Sequence, residues 1–288
     1  MDAAALLGVP LYTLTGYKGM GDAPAALRRA GLVSSLGLRD DLGDVRLPRL
    51  KSDLSEAGAK NFAHFKDCTA RIYRAARSIR ADSVFVVGGE CSLTPGSLAG
   101  LGEVFDGKPG MLWMDAHGDF NTPESSPSGY IGGMCLAMAC GRGSPLGEEI
   151  ESRRPILAEE RLVHLGSRAL DPPEVAAFNS SPAKLFTSQQ VKKVGAAEVA
   201  EEAARHLSNR SDWIACHLDL DVVDPAWVPA VNYPTPEGLT IDETALIIRT
   251  LLKTGKMKVV ELASYNAAND KGGSSARTVV DLVRRIFT

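Results

Sequence analysis

Several absences narrow the field before any motif is considered. No apolar run approaches the about 20 residues that a membrane-spanning helix requires. No basic stretch precedes the short apolar segment within residues 1–10, so no secretory leader is expected there. The five cysteines, Cys68, Cys91, Cys135, Cys140 and Cys216, are odd in number and irregular in spacing. That argues against a disulfide framework and fits a reducing, cytoplasmic compartment. A net charge of −3 offers no basic surplus for nucleic acid or an anionic membrane. Gly88-Gly89 lacks both the third glycine of a dinucleotide fingerprint and a Walker lysine, so no phosphate-binding loop is expected. There is no internal repeat, no low-complexity tract and no linker long enough to divide domains.

What is present reads as one folded unit. The 288 residues are 44% hydrophobic and 23% charged, as in ordinary globular proteins. Apolar runs of strand length lie at 6–12, 84–87, 110–114, 161–165, 184–186, 213–220 and 258–263. Most are continuous rather than alternating, the pattern of strands covered on both faces. Helical periodicity fills 25–30, 62–80, 196–207, 243–254 and 277–287. Thr240 followed by Glu243 predicts a capping box, and Gly31 a helix stop. The alternation predicts a three-layer α/β domain over 1–288: a doubly wound, mostly parallel sheet with helices on both faces. Residues 31–52 are expected to form an irregular surface loop. Ligands of such sheets bind at the carboxyl ends of the strands.

Two acidic groups fall at those ends. Asp115-Ala116-His117-Gly118-Asp119 follows the run at 110–114, and Asp219-Leu220-Asp221, then Asp224-Pro225, follows the run at 213–218. At strand spacing, residues two apart point the same way, so each triplet aims its acids or imidazole at a common point. Aspartates after strands also serve as caps and turn residues. Converging carboxylates, however, repel unless a cation lies among them, and one or two divalent ions are the natural counter-charge. Carboxylate oxygens with one imidazole suit Mn²⁺, with Zn²⁺ or Fe²⁺ as alternatives.

With these residues in view, the chain resembles the ureohydrolase family of arginases, agmatinases and formiminoglutamases over nearly its whole length. Four blocks carry the resemblance in order: Gly88-Gly89-Glu90-Cys91-Ser92, Asp115 to Asp119, Asp219 to Pro225, and Ser264-Tyr265-Asn266. Asp115 through Asn121-Thr122-Pro123 to Ser128-Gly129 looks like the arginase branch. The resemblance implies an arginase-like fold and hydrolysis of a guanidino or amidino C–N bond by a metal-bound hydroxide. It implies Asp115 and Asp219 shared between two Mn²⁺ ions, His117 and Asp221 completing one site, and Asp119, with Cys91 in its block, the other. Asp119 would accept the proton of the attacking hydroxide. Asn121 and Ser128 match positions that bind an α-carboxylate, and Asp171 and Glu174 positions near an α-amino group. It also implies a homo-oligomer, a trimer or hexamer.

Three positions depart from the family pattern. Cys91 stands where a histidine ligand is usual; it either ligates as thiolate, favouring Zn²⁺ or Fe²⁺, or merely fills space. Gly132 stands where arginases carry a histidine thought to shuttle protons. Ser264 replaces the carboxylate that pairs with the guanidinium, and Glu261, three residues back along a strand, is expected to point to the other face. An intact amino-acid grip with an altered guanidine end suggests a less basic substrate such as Nω-hydroxyarginine. The other readings are a single-metal amide or amidine hydrolase and a non-catalytic, metal-poor family member. Tyr233 is expected to narrow the pocket, and His217, inside an apolar strand, to be a satisfied core group, with a role behind the ligands as the alternative because it lies two residues before Asp219.

Overall fold

The computed structural model describes residues 4–38, 40–52, 58–151 and 153–288. Eight strands form one sheet: β1 (Ala4–Val9), β2 (Asp40–Asp44), β3 (Ser83–Gly88), β4 (Pro109–Met114), β5 (Leu162–Ser167), β6 (Lys184–Thr187), β7 (Trp213–Asp219) and β8 (Met257–Ala263). Their order is β2-β1-β3-β8-β7-β4-β5-β6, and every pairing is parallel. β1, β3, β5 and β7 are buried along their whole length, which is why their sequences are continuous apolar runs.

Strand alternation sorts the core into two layers. Phe85 and Val87 face one side, with Leu6, Leu112 and Leu218, under helices Ala23–Arg29, Ala196–Ser208, Ile241–Leu252 and Ser274–Phe287. Val84 and Val86 face the other, with Trp113 and Val259, under helices Phe62–Arg77, Thr94–Leu101 and Cys135–Ala139. The expected helices all form within a few residues of their predicted ends. Thr240 Oγ1 accepts from Glu243 N at 3.1 Å and Glu243 returns a carboxylate to Thr240 N at 2.8 Å, closing the capping box.

Residues 31–52 are not the irregular loop expected. They contain a helix, Leu32–Leu36, and the edge strand β2; residue 39 lies outside the described residues. The Asp40-Asp41-Leu42-Gly43-Asp44 strand carries no strand-forming composition. It is held from outside: the Arg28 guanidinium pairs with Asp41 at 2.8 Å and also with Asp44, while β1 supplies the backbone ladder. Helix Thr94–Leu101 is also absent from the periodicity reading, because it is buried on every side and shows no polar face.

β3 and β4 are consecutive in sequence yet separated in the sheet by β8 and β7. The chain therefore reverses its direction of winding there, leaving a crevice above the carboxyl ends of β3, β8, β7 and β4.

Candidate active site

Each of those four strands delivers a polar residue to the crevice. Cys91 follows β3, Ser264 follows β8, Asp219 ends β7 and Asp115 follows β4. The Gly-Gly step after β3 is a packing requirement: a Cβ on Gly89 would lie 1.7 Å from the Leu11 carbonyl oxygen. Its backbone passes that close because Gly89 N donates to Val9 O at 2.9 Å and Glu90 N to Leu11 O at 3.2 Å.

All ten residues singled out from the sequence line one cavity of about 250 Å³: Cys91, Asp115, His117, Asp119, Asn121, Ser128, Asp171, Glu174, Asp219 and Asp221. The four aspartates Asp115, Asp119, Asp219 and Asp221 are only 1%, 6%, 3% and 4% exposed. Burial, and then the charge of Asp221, raises the Asp219 carboxyl to about 7. Burial with the charges of Asp115 and Asp219 raises Asp119 well above the usual carboxylate range. Burial also raises Asp221, against the hydrogen bonds from His117 and Ala116 N.

Local bonds fix the acids in place. Asp115 accepts from His117 N at 2.7 Å and from Trp113 Nε1 at 3.1 Å. Asp221 accepts from Ala116 N at 3.1 Å and faces His117 Nδ1 at 3.0 Å, while Asp219 accepts from Asp221 N at 2.8 Å. Burial lowers the His117 imidazole, but its bonds to Asp115 and Asp221 prevail and lift it to about 12. Asp119 holds a left-handed backbone at φ +49°, a conformation aspartate tolerates, and its carbonyl caps helix Cys135–Ala139 through Leu136 N and Ala137 N, both at 3.1 Å.

Among the described residues, three groups bring ligand atoms within 4.8 Å of one another: Cys91 with Asp115 and Asp119, Asp115 with His117 and Asp221, and Cys91 with His217 and Asp219. The first two share Asp115. Their donors are carboxylate oxygens with one sulfur or one imidazole, and the acids are buried without a compensating lysine or arginine in the cavity lining. Such a donor set fits divalent cations, whose charge would offset the repulsion that raises Asp119 and Asp219.

At the far end, Asn121 Nδ2 donates to Asp171 Oδ2 at 2.9 Å and its oxygen accepts from Ser125 Oγ at 2.9 Å. Asp171 and Glu174 form a capping box on helix Pro172–Asn179, and Glu174 also accepts from Phe120 N at 2.9 Å. Both Glu174 oxygens are thus engaged by backbone. Ser128 Oγ accepts from Tyr130 N at 3.1 Å. Glu261 faces helix Thr94–Leu101 through Thr94 and lies outside the cavity lining, as strand alternation predicts.

Sequence reasoning missed three contributors. Arg168 donates to the carbonyls of Asp221 at 2.6 Å and Thr235 at 2.8 Å, clamping the loop after β7. Cys135 Sγ donates to Asp119 Oδ2 at 3.6 Å. Tyr130 turns into the cavity and donates to the fully buried Glu90 at 2.8 Å. Gly132 permits this, because a Cβ there would lie 2.5 Å from the Tyr130 ring. Tyr130 also packs edge-on to Tyr17, with centroids 5.4 Å apart, and Tyr17 contacts Tyr233 at 5.9 Å, so three phenols crowd the mouth. Nothing in the spacing of these tyrosines signals that they meet.

A parallel doubly wound sheet with one Asp/His and one Asp/Cys donor group at its switch point defines a metal-dependent hydrolase of the arginase-like fold. The Arginase family model matches residues 2–288, and the chain belongs to that family, whose members hydrolyse C–N bonds of guanidino compounds. The chain is 31% identical to the arginase of Bacillus caldovelox over 100% of its own length and 98% of that protein. It is 34% identical to an arginase of Schizosaccharomyces pombe, over 92% of this chain and 84% of that one. The solved structure of the Bacillus caldovelox arginase at pH 5.6 superposes with a TM-score of 0.91 at 30% identity, covering 100% and 98% of the two chains. Among the described residues no helix is long and apolar enough to cross a membrane.

Proposed function

We propose that this chain is a single-domain, cytoplasmic, oligomeric hydrolase, trimeric or hexameric, of an arginine-like amino acid whose guanidine is less basic than that of arginine, with Nω-hydroxyarginine as the leading candidate. One observation carries the reading. Cys91 Sγ and Ser264 Oγ both donate to Asp219 Oδ2, at 2.7 and 2.5 Å, so the guanidine end presents a thiol and a hydroxyl where a carboxylate would face a guanidinium. An electron-withdrawing N-hydroxyl lowers guanidine basicity, and a neutral guanidine needs no ion pair.

In this reading Asp115, His117 and Asp221 would hold one divalent ion, and Cys91 and Asp119, with Asp115 and Asp219 beside them, would hold a second. The ions are two Mn²⁺, or Zn²⁺ or Fe²⁺ at the Cys91 position, where a thiolate favours a softer ion. When bound they supply the charge that lets water ionise near neutral pH. Asn121, Ser128, Asp171 and Glu174 orient the amino-acid end and so place the guanidine carbon over Asp119. The Asp119 carboxylate takes the proton of the attacking water and can return it to the departing nitrogen as the C–N bond breaks. The three phenols at the mouth restrict solvent entry. The deciding experiment compares kcat/KM for arginine and Nω-hydroxyarginine on the metal-reloaded enzyme. A preference of at least about tenfold, near 1.4 kcal/mol, for the hydroxylated substrate is expected; equal turnover overturns the assignment.

A further inference from the structure

Directly beneath the cavity floor, Trp113, His217 and Glu261 sit side by side in register on β4, β7 and β8, and all three are fully buried. The His217 ring stacks on Trp113, with centroids 3.8 Å apart and planes 12° from parallel. His217 Nδ1 lies 3.0 Å from Glu261 Oε2 and 3.0 Å from Thr94 Oγ1. Thr94 gives its own proton to the same Glu261 oxygen at 2.6 Å, and the Ser97 hydroxyl donates to the other. A carboxylate accepts and does not donate, so the imidazole hydrogen is on Nδ1.

That leaves Nε2 bare, with a lone pair, buried, and without a hydrogen-bond partner. A histidine tied by one nitrogen to a carboxylate and offering the other as a lone pair is the arrangement found in metal-ligating imidazoles. The nearest donors fit that role: a His217 ring nitrogen, Cys91 Sγ and an Asp219 oxygen lie within 4.8 Å of one another. With Nδ1 occupied by Glu261, Nε2 is the nitrogen free to serve.

We propose that His217 is itself a metal ligand, its Nε2 joining the Cys91 thiolate and Asp219 in a nitrogen, sulfur and oxygen site at the cavity floor, with Glu261 as the positioning residue that holds the ring. The proposal rests on the reading of Cys91 as a ligand. It gives the exchange of histidine for cysteine after β3 a physical partner, because the imidazole is supplied from β7 instead. On loading, the Cys91 S–H bond breaks, the sulfur lone pair goes to the ion and the proton leaves to solvent, with no change of oxidation state. One sulfur and one imidazole among the donors favour Zn²⁺ or Fe²⁺ over Mn²⁺.

The test uses the full chain, stripped by chelation and titrated with Co²⁺ and with Zn²⁺, as wild type and as His217→Gln. Wild type should develop the thiolate-to-Co²⁺ charge-transfer absorption. The variant should bind both ions at that site at least about tenfold more weakly, with a shifted band. An unchanged band and affinity in the variant overturn the His217 assignment alone. Absence of the thiolate band in wild type overturns it together with the Cys91 reading. Should His217→Gln fail to fold, zinc X-ray absorption of the doubly loaded wild type decides: two imidazoles per chain, from His117 and His217, support the proposal, and one overturns it.

Discussion

Cys91 and Ser264, 173 positions apart in sequence, lie 3.4 Å apart and donate to the same oxygen of Asp219. Two departures that look independent along the chain are one local change at the end of the cavity that the proposed function assigns to the guanidine. Residues in contact do not act additively, so their substitutions are coupled.

Ser264→Glu restores a carboxylate at that end. We expect kcat/KM for arginine to rise by about tenfold or more relative to Nω-hydroxyarginine, and by more in combination with Cys91→His than the product of the single effects. Ser264 already holds a left-handed backbone at φ +67°, so replacement there adds little new backbone strain. Steady-state kinetics on both substrates measure the coupling, and multiplicative single effects would contradict it.

Cys91→His replaces the sulfur of that proposed ligand with imidazole. The metal retained after reloading from equimolar Mn²⁺ and Zn²⁺ should shift toward Mn²⁺, read as elemental content per chain. Unchanged selectivity would mean that Cys91 does not set it.

Removing the metal should destabilise the protein. With Asp119 and Asp219 buried among like charges, chelation is expected to lower Tm by several degrees. Divalent ion at about 100 times its Kd should restore about 2.7 kcal/mol. Thermal scans at fixed protein concentration check this, and a Tm indifferent to both treatments would count against any resident ion.

Tyr130→Phe withdraws the phenol that donates to buried Glu90, leaving that carboxyl with Ser92 among its side-chain donors. A loss of about 1–3 kcal/mol of folding stability follows from the lost hydrogen bond to a buried carboxyl. Gly132→Ala should dislodge the Tyr130 ring and alter KM more than stability. Urea unfolding and kinetics separate the two.

His164 gives stability a pH dependence of known sign. Burial, the largest cause, lowers the imidazole to about 3 from an ordinary 6.5. Between those values the unfolded chain binds a proton that the folded chain refuses. Stability is therefore full above about 6.5 and falls as pH drops, at up to about 1.4 kcal/mol per pH unit. Urea unfolding from pH 7 to 5 should show His164→Gln less destabilised relative to wild type as pH falls. Parallel profiles would contradict the buried neutral histidine.

The sequence by itself determined the elements whose causes are local. Continuous apolar runs mark β3, β4, β5, β7 and β8, a 3.6-residue period marks helices Phe62–Arg77 and Ala196–Ser208, and Thr240 with Glu243 marks a helix start. The Asp115 and Asp219 groups also announced themselves, because residues two apart at a strand end share a direction whatever the strand's neighbours are. What only the tertiary structure decided depends on which strands stand side by side. The order β3-β8-β7-β4 brings Cys91, Ser264, Asp219 and Asp115 to one crevice and sets His217 between Trp113 and Glu261. Edge strand β2 forms because Arg28 and β1 hold it, against its own composition. Tyr130 reaches Glu90 because Gly132 leaves room for its ring. Periodicity is a property of neighbours along the chain, whereas these contacts join residues far apart in it, and only the pairing of strands and the packing of side chains can select them.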